Sequence, residues 1–136
     1  MSRKQYRILS VVVAIASLVA LPSCGNDNKL VSIAVQPSTA FFLTPDTTLT
    51  IKLTALGTYI HPPATKDISN KVTWTSDIPG LVTVDQTGMV ATSGNGSCGI
   101  ANVTASFFTS ANNPAGNVIM GTAAVTVHNS AIPACP

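Results

Sequence analysis

Charge is scarce in this chain. Lys, Arg and Asp together make up 9% of its 136 residues, against about 25% in an ordinary soluble domain, and all five side-chain carboxylates are aspartates. No basic patch is available to neutralise phosphates and release their counterions, which removes nucleic acid as a partner. Asp27, Asp46, Asp67, Asp77 and Asp85 are dispersed and form no calcium loop. Only two histidines occur, His61 and His128, and neither has a cysteine, histidine or carboxylate at ligand spacing. They read as surface residues, with no metal or cofactor expected. Aromatic residues are few, and Trp74 is the single tryptophan.

The positive charge that does exist is crowded at the front. Arg3, Lys4 and Arg7 precede an uncharged run from Ile8 to Leu21, broken only by Ser10 and Ser17. A spanning helix needs ~20 apolar residues and a signal-peptide core roughly 7 to 15. Residues 1–23 therefore read as a signal peptide, with a short membrane anchor as the second reading. The run ends in Leu21-Pro22-Ser23-Cys24, which resembles the lipobox of bacterial lipoproteins: an aliphatic residue at minus three, a small one at minus one, then the cysteine. Pro22 occupies the position where a small or aliphatic residue is usual. The resemblance implies that Cys24 becomes the N-terminus and carries fatty-acyl chains such as palmitate. The competing reading is an ordinary cleaved signal with a disulfide-forming Cys24.

Three cysteines are an odd number for an exported protein. If Cys24 is lipidated, Cys98 and Cys135 remain as one possible pair in an oxidising compartment; two unpaired thiols are the alternative. Each buried methylene contributes about 0.8 kcal/mol, so one acyl chain holds weakly and two or three hold durably. Residues 24–29 are the lipidated cysteine and a polar tether whose five residues reach at most ~17 Å. From Cys24 onward four lysines face five aspartates, a formal balance of one negative charge.

Past the tether the apolar residues alternate. Val31, Ile33 and Val35 share one face, Pro37 interrupts, and Phe41 to Leu43 resume before a turn at Thr44-Pro45-Asp46, so the first strand is kinked. Leu49, Ile51, Leu53 and Ala55 alternate with threonines and Lys52, the pattern of a strand with one wet face. His61-Pro62-Pro63 removes two backbone donors and predicts a loop running to Ser69. Lys71 to Val90 then reads strand, turn, strand, turn, strand, with Trp74 on an apolar face where so large a side chain is a natural core centre. Asn95-Gly96 marks a tight turn. Ala101 to Phe107 and Ile119 to Val127 are the last two strands, joined by a polar loop from Thr109 to Asn117. No helical period follows Leu21. Seven or eight short antiparallel strands in residues 30–128 predict an all-β, immunoglobulin-like sandwich, with residues 129–136 as a tail.

The order V-S-I-A-V-Q-P-S, L-T-A-L-G-T-Y, K-D-I-S, V-T-W-T-S-D-I-P-G-L-V-T-V-D-Q-T-G-M-V, A-N-V-T-A and A-V-T-V resembles the bacterial Ig-like domains, group 2, of intimin- and invasin-type adhesins. The likeness spans nearly all of the chain after Cys24 and departs at His61-Pro62-Pro63 and at Asn95 to Cys98, both in loops. It implies strands that run alternately up and down. Cys98, before the sixth strand, and Cys135, after the last, then fall at one pole, which favours their pairing. The N-terminal pole, with Tyr59 to Ser69 and Phe108 to Asn117, faces the membrane. Phe41 to Asp46 and Ser93 to Cys98 point away from it, making Phe42, Asn95 and Ser97 the candidate binding residues.

Catalytic readings are weaker. Asp85-Gln86-Thr87-Gly88 carries an extra residue relative to the Asp-Thr-Gly of aspartic proteases and lacks a second carboxylate, and Gly94-Asn95-Gly96 lacks the helix and lysine of a phosphate loop. Both read as turns. No nucleophile, base and orienting acid can be assembled without arbitrary choice. The sequence thus points to a non-catalytic, lipid-anchored protein of the bacterial cell envelope, in the outer membrane, serving adhesion, scaffolding or surface structure. The alternative is an accessory subunit that binds a carbohydrate or a protein partner for a larger envelope system.

Overall fold

The computed structural model describes residues 28–43, 45–109, 116–132 and 135; residues 1–23, Cys24 and the tether to Asp27 lie outside the described residues. Ten strands occur, and among the described residues there is no helix. They are β1 (Lys29–Gln36), β2 (Thr39–Phe42), β3 (Thr50–Lys52), β4 (Thr54–Ile60), β5 (Ala64–Asp67), β6 (Thr73–Ser76), β7 (Val82–Val84), β8 (Met89–Thr92), β9 (Gly99–Phe108) and β10 (Val118–Val127). The order β2–β10–β9–β6 forms one layer. The other consists of β1–β4–β5 and β3–β8–β7, joined because β3 and β4 are halves of one strand interrupted at Leu53, whose N–H donates to Gly88 O at 2.8 Å. All pairings are antiparallel except β2 with β10. This is the predicted all-β, immunoglobulin-like sandwich.

Two stretches differ in detail from the sequence expectation. The kink at Pro37 is a crossing between layers: β1 pairs with β4, and β2 pairs with β10. The crossing also changes which positions face inward. Ile33 and Val35 are buried in β1, whereas Ala40 and Phe42 are buried in β2 and Phe41 points out. The predicted loop from His61 to Ser69 contains β5, which extends from β4 as a hairpin with Tyr59 opposite Ala64 and Leu56 opposite Asp67. His61, Pro62 and Pro63 occupy the turn, where missing donors cost nothing, and four residues of exposed edge strand are too few to show a period.

Trp74 lies at the centre, 3% exposed. Its indole N–H donates to Ser69 O at 2.8 Å, and Ser69 Oγ accepts the amide of Ala55 in β4 at 2.8 Å. A side chain of one layer is thereby tied to the central strand of the other. Gly88 closes the space above the ring: its φ is +85°, and a Cβ there would come within 2.9 Å of Trp74 Cζ2 and 2.6 Å of Leu53 O. Leu53, Val82 and Val90 from one layer and Val103, Val125 and Val127 from the other complete the core.

Two substitutions separate these contributions. Trp74→Ala is expected to lower unfolding free energy by about 3–5 kcal/mol through lost burial and a residual cavity. Trp74→Phe keeps most of the ring but leaves Ser69 O without its donor, for a loss of about 1–3 kcal/mol beyond the packing change. Urea unfolding followed by far-ultraviolet circular dichroism reads both.

Candidate functional site

The pole that collects the segment after β10 and the crossing loops is the most elaborated part of the molecule. Cys98, in the loop after β8, is disulfide-bonded to Cys135, with the Cα atoms 5.7 Å apart. Asn129 braces the same corner: its Nδ2 donates to Gly96 O at 2.6 Å, its amide to Cys135 Sγ at 3.0 Å, and its Oδ1 accepts the amide of Ala131 at 3.0 Å. Ser93 Oγ and, at 3.3 Å, Asn95 Nδ2 both donate to Gly80 O, tying the loop after β8 to the loop before β7. Gly94, with φ +75°, packs against the loop before β3, where an added Cβ would stand 2.5 Å from Thr47 Cγ2. Three loops and the tail therefore converge, as alternating strand direction requires.

The aspartates are committed to structure. Asp46, Asp67 and Asp85 each stand two residues before a Thr or Ser and accept both its amide and its hydroxyl: Thr48 at 2.8 and 2.8 Å, Ser69 at 2.9 and 2.6 Å, Thr87 at 2.8 and 2.7 Å. Asp-x-Ser/Thr is thus this chain's repeated turn device. Asp85 also accepts the amide of Met89 at 3.0 Å, so Asp85 to Gly88 is the hairpin turn between β7 and β8. Asp77 caps the corner after β6 by accepting the amide of Asn102 at 2.7 Å and its side-chain amide at 2.8 Å. These bonds hold all four carboxyls below the ordinary range. The leading cause is the Thr48 amide at Asp46, the Ser69 hydroxyl at Asp67, the Asn102 side chain at Asp77 and the Thr87 hydroxyl at Asp85.

Of the proposed binding residues, Asn95 and Ser97 are exposed on this pole. Phe42 is not: it is 2% exposed and packed in the core, because the layer crossing at Pro37 turns even-numbered positions inward. The apolar surface belongs instead to its neighbours Phe41 and Leu43, 64% and 76% exposed, and to Ile100, 53% exposed. Register makes two of these a row: Thr126 of β10 lies opposite Phe41 on one side and Ile100 on the other. Sequence reasoning missed Ile100 because it precedes the alternating run that begins at Ala101. Phe41 became identifiable only once the parity change at Pro37 was known. The result is a row with Phe41 and Ile100 on either side of Thr126. Among the described residues no group of three metal-ligating side chains comes together.

No protein-family model and no curated protein matches the chain.

Two outcomes follow. Replacing Cys98 and Cys135 together by serine should lower stability by ~3–4 kcal/mol, the chain-entropy value for a loop closed across 37 positions, and non-reducing peptide mapping should recover the Cys98–Cys135 link from the wild type. Because the four aspartates have depressed folded-state pKa values, their stabilisation is complete above the unfolded carboxylate range and disappears as pH falls through the folded values. The thermal midpoint should therefore be flat from neutrality to about pH 5 and fall below about pH 4, with a shallower fall in Asp77→Ala.

Proposed function

We propose that this chain is a non-catalytic, lipid-anchored Ig-like protein of the bacterial cell envelope, serving adhesion, scaffolding or surface structure. The observation that carries the reading is the partition of the cysteines. Cys98 and Cys135 are joined, which leaves Cys24 as the one cysteine without a partner in the chain. It stands directly behind Leu21-Pro22-Ser23 and a basic, apolar leader. An exported protein seldom keeps a free thiol, and acylation accounts for this one.

The commitment of Asp46, Asp67, Asp77 and Asp85 to turns and corners supports a binding role over an enzymatic one, since a carboxylate already bonded to amides and hydroxyls is a poor proton shuttle. Membrane attachment at the N-terminal pole turns the stapled pole outward, toward whatever the protein meets. A second reading, an accessory subunit of a larger envelope system, is favoured by the Phe41–Ile100 row, because exposed apolar residues beside a braced loop suit a protein partner.

Intact mass of the protein purified from membranes should show cleavage before Cys24 and added acyl mass, and Cys24→Ser should move it from the detergent phase to the aqueous phase. Unmodified Cys24 in the mature protein would end the reading. Capture from detergent-solubilised membranes then separates the two roles. A stoichiometric envelope protein lost on Phe41→Ser or Ile100→Ser identifies the accessory subunit, and glycan or matrix binding without such a partner identifies the adhesin.

A further inference from the structure

The opposite pole carries a second apolar surface, built over the edge of the core. A groove of about 400 Å³ opens between the starts of β1 and β10 and the ends of β4 and β9. Its apolar lining includes Leu30, Val31, Tyr59, Phe107 and Ile119, with Lys29 at the rim. Beside it the outer face of β9 and β10 is apolar as well. Phe108 and Val118 are paired in register and 61% and 40% exposed, Met120 follows on the same face at 61%, and Val31 is 42% exposed. The backbones of β1 and β10 approach closely across the layers, a Cβ on Gly121 falling 2.5 Å from Ile33 O.

The same outer face changes character away from this pole. Thr104, Thr122 and Thr75 occupy one row across β9, β10 and β6, and Asn102 and Ala124 the next. Apolar residues return only at Ile100 and Phe41. Three lysines sit toward the groove end: Lys29 opposite Ile60, Lys66 in β5 with its ammonium 5.6 Å from the Tyr59 ring centre, and Lys71 just before β6. Asp67 follows Lys66 in β5 and Asp27 stands two residues before Lys29 in sequence, whereas Asp46, Asp77 and Asp85 belong to the loop before β3, the corner after β6 and the turn between β7 and β8.

We infer that this groove pole docks onto the bilayer, with Phe108, Val118, Met120 and Val31 in the headgroup–acyl boundary and the lysines against anionic phospholipid. The inference rests on the lipid-anchor reading. What selects a bilayer as the occupant is chain length: Asn28 lines the groove, and only Gly25, Asn26 and Asp27 separate it from Cys24, so an acylated Cys24 lies within ~14 Å of the groove. An apolar surface held that close to a membrane meets lipid before any soluble partner. Apolar side chains with flanking lysines are the composition that interfacial binding favours. The acyl anchor supplies affinity, and the pole supplies orientation, standing the domain upright with Cys98–Cys135 outward.

The test uses full-length, acylated protein in vesicles of phosphatidylethanolamine and phosphatidylglycerol, with bromine on the acyl chains as a contact quencher. Trp74 is buried and common to every sample. Phe108→Trp should add emission that brominated lipid lowers by at least about twofold, consistent with insertion into the acyl boundary. Phe41→Trp, at the far pole, should add emission that bromine leaves unchanged. Met120→Ser with Val118→Ser should reduce the quenching at position 108 while flotation with the vesicles persists. Protein that floats with both added tryptophans equally unquenched overturns the docking and leaves the anchor standing; so does a blue-shifted, unquenched Phe108→Trp in a cross-linkable dimer, which would make a second copy the occupant. Failure to float removes the anchor, and the docking with it.

Discussion

The indole N–H of Trp74 and the short segment it reaches hold the two layers in one arrangement. Trp74 belongs to β6, at the edge of one layer, yet its donor is satisfied by Ser69 O in the connection leaving β5. Ser69 is itself fixed by its hydroxyl to Asp67 and by the amide of Ala55. Ile68 N–H donates to Ala55 O at 2.8 Å, so the same three residues prolong the pairing of β4 after β5 has ended. A buried indole without this acceptor would carry an unpaid desolvation cost of about 1–3 kcal/mol. The position of the ring in turn dictates a glycine at 88 and therefore the hairpin between β7 and β8. One donor thus sets the relation between layers, and hydrophobic burial supplies the strength.

Much of this was legible before the structure. The period-two stretches around Leu53, Trp74, Val103 and Val125 became β3 with the start of β4, β6, β9 and β10, because each buries one face against the opposing layer and the pattern cannot be met by another element. Cys98 and Cys135 could be placed at one pole because strand alternation is a parity argument, insensitive to the ends of individual strands. The crossing at Pro37 was illegible for a matching reason. A proline announces a break but not which layer the chain enters next, and the layer decides whether position 41 or 42 is buried. β5 was hidden because an edge strand of four residues has no buried face to leave a period. At the candidate site, Asn95 and Ser97 were legible as loop residues, whereas Phe41 and Ile100 form a pair only through Thr126, and register across three strands is absent from any single stretch of sequence.

The scarcity of charge has a structural counterpart. Each described aspartate holds a turn or corner, and Lys52 reaches across to Thr87 O. Exposed strand positions are filled instead by residues such as Thr73, Thr75, Thr83 and Thr122. Threonine suits a pleated, half-wet surface because its branched side chain favours extended backbone while its hydroxyl remains in water. A sheet face made this way is polar without being charged, so it repels neither a membrane nor a neutral partner. Its cost is weaker colloidal repulsion between molecules.

Strand number links these features to orientation. The chain enters the sandwich at the groove pole through β1 and leaves it at the stapled pole through β10, so Lys29 and Val127 lie at opposite poles. The Cys98–Cys135 disulfide restricts the unfolded chain and ties the loop after β8 to the segment that follows β10. Because the outer face of β9 and β10 is apolar at both ends and threonine-rich between, the domain offers two separate contact surfaces rather than one continuous strip. Two surfaces at opposite poles of one sandwich can be occupied at once without competing.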